Sequence, residues 1–183
     1  MRNYFRVMLG PKSIHADACF AGNFIGADFG INEDLTNKLP DEWRDFNKQY
    51  ICKYLAIHPG KSRIAAGLSC GFLWTVSKGI LKEDIVLCPD GNGRYRVGEI
   101  TGDYYFVPND ILPHRRPVRW LNQIIDRSDM SDALRKSSGS VGTVSHLRRP
   151  GFREEIERLM GNASSPTFIS TDDSVEDVSA FAL

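Results

Sequence analysis

The chain has 183 residues, of which 42% are hydrophobic and 25% charged, a composition typical of one globular domain with a real core. The formal net charge is zero, which at first sight argues against a nucleic-acid partner. No apolar run approaches the roughly 20 residues of a membrane span, and the first residues do not have the layout of a signal peptide. We therefore expect a cytoplasmic protein that contacts no membrane.

The charges are unevenly distributed along the chain. Residues 161–183 contain four acidic residues and no Lys or Arg, which leaves 23 basic against 19 acidic residues in 1–160. This mildly basic segment is compatible with DNA binding. We predict one domain over residues 1–160, followed by an acidic, Ser- and Thr-rich linker over 161–183 that leads to a further, C-terminal domain.

The first half of the chain alternates between short strands and longer helices. Residues 1–9 have strand periodicity, and a second short strand is expected inside the glycine-punctuated segment 22–30. A helix is predicted from Pro40, with Trp43, Phe46, Tyr50 and Tyr54 on one apolar stripe. A second helix is predicted over 61–78, with Ile64, Leu68, Phe72 and Val76 on its apolar face and with Gly67 and Gly71 open to close approach by another backbone.

From Asp84 the pattern changes to strands separated by strong turn signals. The fold class predicted from this order is α+β: a mostly antiparallel sheet, strongly curved or closed as a barrel, with two helices inserted after the first strands. The expected strands are 85–88, 94–101, 104–107 and 114–121, and two short helices follow at 132–136 and 154–160.

Nothing in the sequence compels a metal site or a catalytic site. Cys19, Cys52, Cys70 and Cys88 are too widely spaced for a metal motif, so we expect four buried free thiols. The segment 67–71 has the form G-x-S-x-G but lies inside a helical pattern, where a nucleophile elbow does not form. We therefore predict no catalytic residue, no metal and no cofactor for this domain. Two groups of carboxylates are candidates for a metal, Asp28 with Glu33 and Asp34, and Asp84 with Glu99 and Asp103, but neither has a spacing that compels a metal site.

Aromatic and polar residues cluster in the glycine-rich loop and at two later positions. An extruded base needs aromatic faces for stacking and polar groups for its Watson–Crick edge. The alternative for each aromatic residue alone is packing in the core. The candidate base pocket consists of Phe20, Asn23, Phe24, Asp28, Phe29, Trp74, Tyr104 and Tyr105.

Basic residues are concentrated on two predicted strands. Arginines on adjacent strands provide a surface that contacts phosphates; a solvated sheet face is the alternative. The candidates for contact with the nucleic-acid backbone are Arg94, Arg96, His114, Arg115, Arg116 and Arg119.

Three segments that follow one another between residues 84 and 121 resemble a known family. Tyr95–Tyr105 contains a hairpin similar to "Y-x-(I/V)-G-x-(I/V)-x-G-D-Y", and His114–Leu121 is similar to "H-x-R-x-V-x-W". Asp84 stands in a strand similar to "GD-x-V", with Glu83 at the glycine position. The segment 24–28 resembles "I-x-I-G-W-D", with Ala27 at the tryptophan position. Together with 134–144, these segments resemble the N-terminal region of Mrr-like and other modification-dependent restriction endonucleases over about residues 4 to 160.

The resemblance implies a PUA-like/EVE-type domain, a curved antiparallel β-barrel with flanking helices. It implies a DNA-recognition module for double-stranded DNA that recognises a modified cytosine by flipping the base into an aromatic pocket. It further implies a nuclease domain after the linker, with Mg²⁺ as its metal, and it allows a homodimer formed through the full-length protein. The alternatives are a module that recognises modified RNA, or a domain that binds a protein or a small molecule on the same barrel.

Overall fold

The computed structural model describes residues 1–161 of the chain. The predicted linker 161–183 lies outside the described residues, except for Gly161. No helix in the described part has the length and apolar character needed to cross a membrane.

Five α-helices and seven β-strands make up the described chain, which confirms the α+β class. The helices are α1 (Ala16–Gly22), α2 (Trp43–Ile57), α3 (Arg63–Trp74), α4 (Asp132–Ser138) and α5 (Phe152–Leu159), with a π-helical turn at Thr75–Gly79. The strands are β1 (Tyr4–Val7), β2 (Phe24–Ala27), β3 (Ile85–Pro89), β4 (Arg94–Ile100), β5 (Tyr105–Phe106), β6 (His114–Asp126) and β7 (Val144–His146).

The strands form one curled sheet in the order β2-β6-β4-β3-β1-β7, with β5 paired to β6. β1 and β3 run parallel, with Tyr4 opposite Ile85, whereas the other pairings are antiparallel. The sheet is therefore mostly antiparallel, as expected, with one parallel pair where β1 enters the sheet beside a strand about 80 residues later. No ladder joins β2 to β7 within residues 1–161, so the sheet is a half-barrel with two open edges and not a closed barrel.

Both faces of the half-barrel are covered by helices. Side chains alternate across a strand, and in β1 Phe5 and Val7 join one core cluster while Tyr4 joins another. The first cluster contains residues of α2 and α3, and the second contains residues of α4 and α5. The half-barrel is thus the middle layer between two groups of helices.

The two long predicted helices are confirmed as α2 and α3. Ser62 caps α3, because its Oγ accepts a hydrogen bond from Ala65 N at 3.1 Å. The two helices are joined where the Asn47 side-chain amide of α2 donates to the Gly67 carbonyl of α3 at 3.1 Å. Ile64 is exposed, so its assignment to the apolar face of α3 was wrong.

Three of the four cysteines are buried, as expected, and Cys52 is exposed. The expectation of four buried thiols therefore fails at Cys52, which lies on the outer face of α2. Burial raises the pKa of Cys19 and Cys70 to about 12, and burial also raises the pKa of Cys88 well above its ordinary value.

Candidate functional site

A cavity of about 310 Å³ lies at one end of the half-barrel, near the lower end of the roughly 300–1,000 Å³ typical of small-molecule sites. Its walls come from both open edges of the sheet: from the end of β2, and from the loop that precedes β7. We call it the edge cavity. It is lined by Met8, Gly10, Pro11, Gly26, Ala27, Asp28, Phe29, Leu112, Gly142 and Thr143.

The backbone around the edge cavity adopts conformations that few residues tolerate. Gly10 and Gly142 have φ angles of +78° and +117°, and Phe29 has a φ of +57°. A Cβ on Gly142 would lie 2.7 Å from Cζ of Phe72, so only glycine fits there. The Asp28 carboxylate accepts a hydrogen bond from Gly30 N at 3.1 Å, which fixes the turn that presents Asp28 and Phe29 to the cavity.

Arg6 of β1 holds the loop that forms the opposite wall. Its side chain is 0% exposed. Nη1 donates to the carbonyl of Gly142 at 2.6 Å, and Nη2 donates to the carbonyl of Ser140 at 2.7 Å. Nη1 also donates to the carbonyl of Thr143 at 3.3 Å. Because one rigid guanidinium binds three carbonyls, the loop is fixed to the sheet.

A second cavity, of about 460 Å³, lies against β6 and the π-helical turn. We call it the Arg116 cavity. Three basic side chains line it, against one carboxylate. Its charged and hydroxyl-bearing walls include Ser77, Lys78, Lys82, Asp103, Tyr104 and Arg116.

His114 connects the walls of the two cavities. Its Nε2 donates to the carbonyl of Ile31, which follows the turn at Asp28 and Phe29. Nδ1 then accepts from the Tyr104 hydroxyl at 2.8 Å, and that hydroxyl accepts from Leu35 N at 3.0 Å. Both ring nitrogens are therefore satisfied in the neutral imidazole. His114 was predicted to contact the nucleic-acid backbone, but the structure buries it completely.

Stability is expected to decrease as the pH falls below about 6.5, the usual pKa of an unfolded histidine. Burial lowers the pKa of His114, although the hydrogen bond to Ile31 opposes the shift, and burial also lowers the pKa of His146. The unfolded chain then takes up protons before the folded chain does, so the free energy of unfolding falls until the folded-state pKa is reached.

The measurement is urea unfolding of the wild type and of His114→Gln at a series of pH values between 5 and 7. Each histidine contributes at most about 1.4 kcal/mol per pH unit. The variant should be less stable at pH 7 and should depend less on pH. An identical pH dependence in both proteins would show that His114 takes no part.

The structure places only part of the predicted base pocket at the edge cavity. Asp28 and Phe29 line it, and Tyr104 lines the Arg116 cavity instead. Phe24 is buried, with the Arg115 guanidinium 3.9 Å from its ring centroid. The Trp74 indole nitrogen donates to the Pro40 carbonyl at 2.8 Å.

The other three predicted pocket residues also lie outside both cavities. Phe20 packs edge-on against Trp120, with the ring centroids 5.0 Å apart. Asn23 ends α1 in a left-handed conformation with a φ of +56°. Tyr105 is exposed on β5. Phe20 thus belongs to the packing and Asn23 to a chain turn, whereas Tyr105 faces solvent.

The predicted basic surface is divided by the sheet. Arg94 and Arg96 lie on one face of β4, where the Arg96 guanidinium is 5.0 Å from the centroid of the Phe20 ring. Arg119 lies on the opposite face and pairs with Glu99 at 3.2 Å. Arg94 and Arg119 are exposed, so both remain available to a phosphate on their own side of the sheet.

Arg115 and Arg116 are buried, unlike the solvated arginines that the prediction requires. The Arg115 side chain donates to the carbonyls of Leu112 and Ile111 at 2.9 and 2.7 Å and pairs with Asp110 at 3.1 Å. The short turn before β6 is therefore held by the strand that follows it.

The carboxylates considered for a metal have other partners. Glu33 pairs with Lys38 at 3.1 Å and with Lys53 at 2.9 Å. Burial would raise the pKa of Glu33, but these two lysines lower it below its usual value. The Asp84 carboxylate accepts from Asn3 N at 2.8 Å and from Leu81 N at 2.7 Å. No group of three metal-binding side chains occurs in residues 1–161.

Sequence reasoning missed most of the edge cavity. Met8, Pro11, Leu112 and Thr143 carry no chemical signal for a ligand, and their role depends on where distant loops meet. Ala27, which stands at the tryptophan position of the resembling family, lies on the wall of the cavity. The glycines of the lining segments, such as Gly10 and Gly142, were the only sequence signal for the cavity.

Fold and site together define a curled α+β half-barrel with a cavity between its open edges. The model of a family described as "Domain of unknown function (DUF8426)" matches residues 5–148, and the chain belongs to this family. No curated protein and no solved structure shows a significant match. The matched range contains every residue that lines the edge cavity and the Arg116 cavity.

Proposed function

We propose that this chain is the PUA-like, EVE-type DNA-recognition module of a restriction system, and that it takes an extruded, modified cytosine into the edge cavity. The observation that carries the proposal is the cavity itself, whose walls come from both open edges of the half-barrel. The resemblance of the central strands to modification-dependent restriction endonucleases supports the same function.

The cavity walls have the chemistry that an extruded cytosine requires. Phe29 offers an aromatic face, and stacking of one base on such a face is worth about 1–3 kcal/mol. The Asp28 carboxylate is an acceptor for the exocyclic amine of cytosine. Ala27 leaves space where a larger side chain would fill the cavity, and this space would take a substituent on the base. Together these contacts offset the few kcal/mol needed to unstack a base.

An apolar loop tip lies beside the cavity. Val141 is 88% exposed and directly precedes Gly142 and Thr143 of the cavity wall. Proteins that unstack a base commonly insert an apolar side chain into the space that it leaves. Val141 is suited to that insertion, because it is exposed to solvent on a loop that Arg6 fixes to the sheet.

The test is titration of the chain with three matched DNA duplexes that carry cytosine, methylcytosine or hydroxymethylcytosine, at two salt concentrations. We expect a preference of about tenfold or more for one modified duplex, with affinity that falls steeply as salt rises. Equal binding to all three duplexes would contradict the proposal. A preference for single-stranded RNA would instead favour recognition of modified RNA.

A further inference from the structure

Arg116 is a buried cation with no described carboxylate within salt-bridge distance, although Asp103 and Asp84 act on its charge from farther away. It is 3% exposed. Its Nε donates to the Gly102 carbonyl at 2.9 Å, and Nη1 donates to the carbonyls of Val76 and Ile80. It forms no salt bridge within residues 1–161, where Nη2 also has no hydrogen-bond partner. Carbonyls thus hold Nε and Nη1 of the guanidinium, and Arg116 lines the cavity.

Two lysines of the same cavity add to this positive charge. Lys82 is exposed and forms no ion pair with any described residue. Lys78 donates to the Leu39 carbonyl at 2.8 Å and pairs at 3.1 Å with Asp41, whose own side chain is almost fully exposed. Asp103 carries the only negative charge among the described residues that line the cavity. The lining therefore carries an excess of positive charge.

Ser77 gives a second and independent indication of a ligand. It lies in the π-helical turn that follows α3, lines the cavity and is 3% exposed. Its Oγ is buried and has no hydrogen-bond partner among the described residues. An unsatisfied buried hydroxyl is destabilising unless a ligand supplies the partner. Ser77 lines the same cavity as Lys78, its neighbour in the chain.

We propose that the Arg116 cavity binds a phosphate group. A guanidinium, two ammonium groups and a hydroxyl are all donors, and a phosphate offers several acceptor oxygens and up to two negative charges. A neutral ligand would not match the three basic side chains of the lining, which Asp103 alone among the lining residues opposes. The phosphate belongs either to a nucleic-acid backbone or to a free phosphate compound, and the chemistry of binding is the same. The site depends on this cavity alone, whether or not the edge cavity takes a base.

The experiment uses the full chain and two probes, inorganic phosphate and a short unmodified DNA duplex. Calorimetry measures the affinity of each probe for the wild type, Ser77→Ala and Lys82→Gln. Both substitutions keep Arg116 in place, so the fold should persist, and circular dichroism checks this. Lys61→Gln is the matched control, because Lys61 is also exposed but lies outside the cavity.

We expect each cavity substitution to weaken the binding of at least one probe by roughly tenfold, as loss of a hydrogen bond to a charged group predicts. The control substitution should leave the affinity for both probes unchanged. Weakened duplex binding with a smaller salt dependence would identify a backbone phosphate. Weakened binding of inorganic phosphate with unchanged duplex binding would identify a free phosphate compound. If both probes bind the wild type and the two cavity variants equally, or if neither binds the wild type, the proposal is overturned.

Discussion

Replacement of Arg6 by methionine is expected to lower the free energy of unfolding by about 3–5 kcal/mol. Methionine preserves much of the volume of the side chain but removes every donor. The carbonyls of Ser140, Gly142 and Thr143 would then lose the guanidinium that binds them. Urea unfolding followed by circular dichroism measures the change.

Arg94→Met is the matched control for this experiment. Arg94 is exposed, and its pair with Asp126 has a separation of 3.9 Å, so its removal should change stability by less than about 0.5 kcal/mol. If Arg6→Met changed stability as little as the control, the buried guanidinium would not be what fixes the loop before β7. Arg6→Met should also impair binding at the edge cavity, because the loop before β7 forms one wall of that cavity.

Phe29→Ala is expected to abolish most of the preference for a modified duplex. The loss of one stacking contact corresponds to about 1–3 kcal/mol, or roughly a fivefold to a hundredfold decrease in affinity. Phe29 already has a positive φ angle and is only partly buried, so the substitution should affect binding more than folding. Titration with the preferred modified duplex and with its unmodified counterpart measures the effect.

Tyr105→Ala separates this effect from a general loss of aromatic surface. Tyr105 was also predicted to form the base pocket, but it is exposed on β5 and lines neither described cavity. Its removal should leave the preference unchanged. A preference that survives Phe29→Ala and disappears with Tyr105→Ala would move the base site away from the edge cavity.

The parts of the fold that depend on local sequence were predictable. The apolar stripe from Phe46 to Tyr54 indicates α2, and the glycine-rich turn at 90–93 separates β3 from β4 as expected. α1 was missed because its seven residues are too few to show a clear helical period. The pairing of β1 with β3 was missed because parallel pairing depends on contacts between segments far apart in the chain.

The candidate site was less predictable than the fold. Aromatic residues were selected for their chemistry, but Phe24 lies in the core and the indole nitrogen of Trp74 binds a backbone carbonyl. The same bias selected Arg115 as a surface residue, although its guanidinium holds the turn before β6. The edge cavity is lined by four separate segments of the chain, and residue types alone do not encode where those segments meet.

The position of β1 has a consequence for how the chain folds. β1 lies between β3 and β7, so Phe5 is opposite both Val86 and His146. On the ribosome, the first strand emerges long before either neighbour exists, and pairing between such distant segments is slow. Until β7 is synthesised, the apolar side chains of β1 have no complete place in the sheet. The domain can therefore complete its folding only when nearly all of residues 1–161 have been translated.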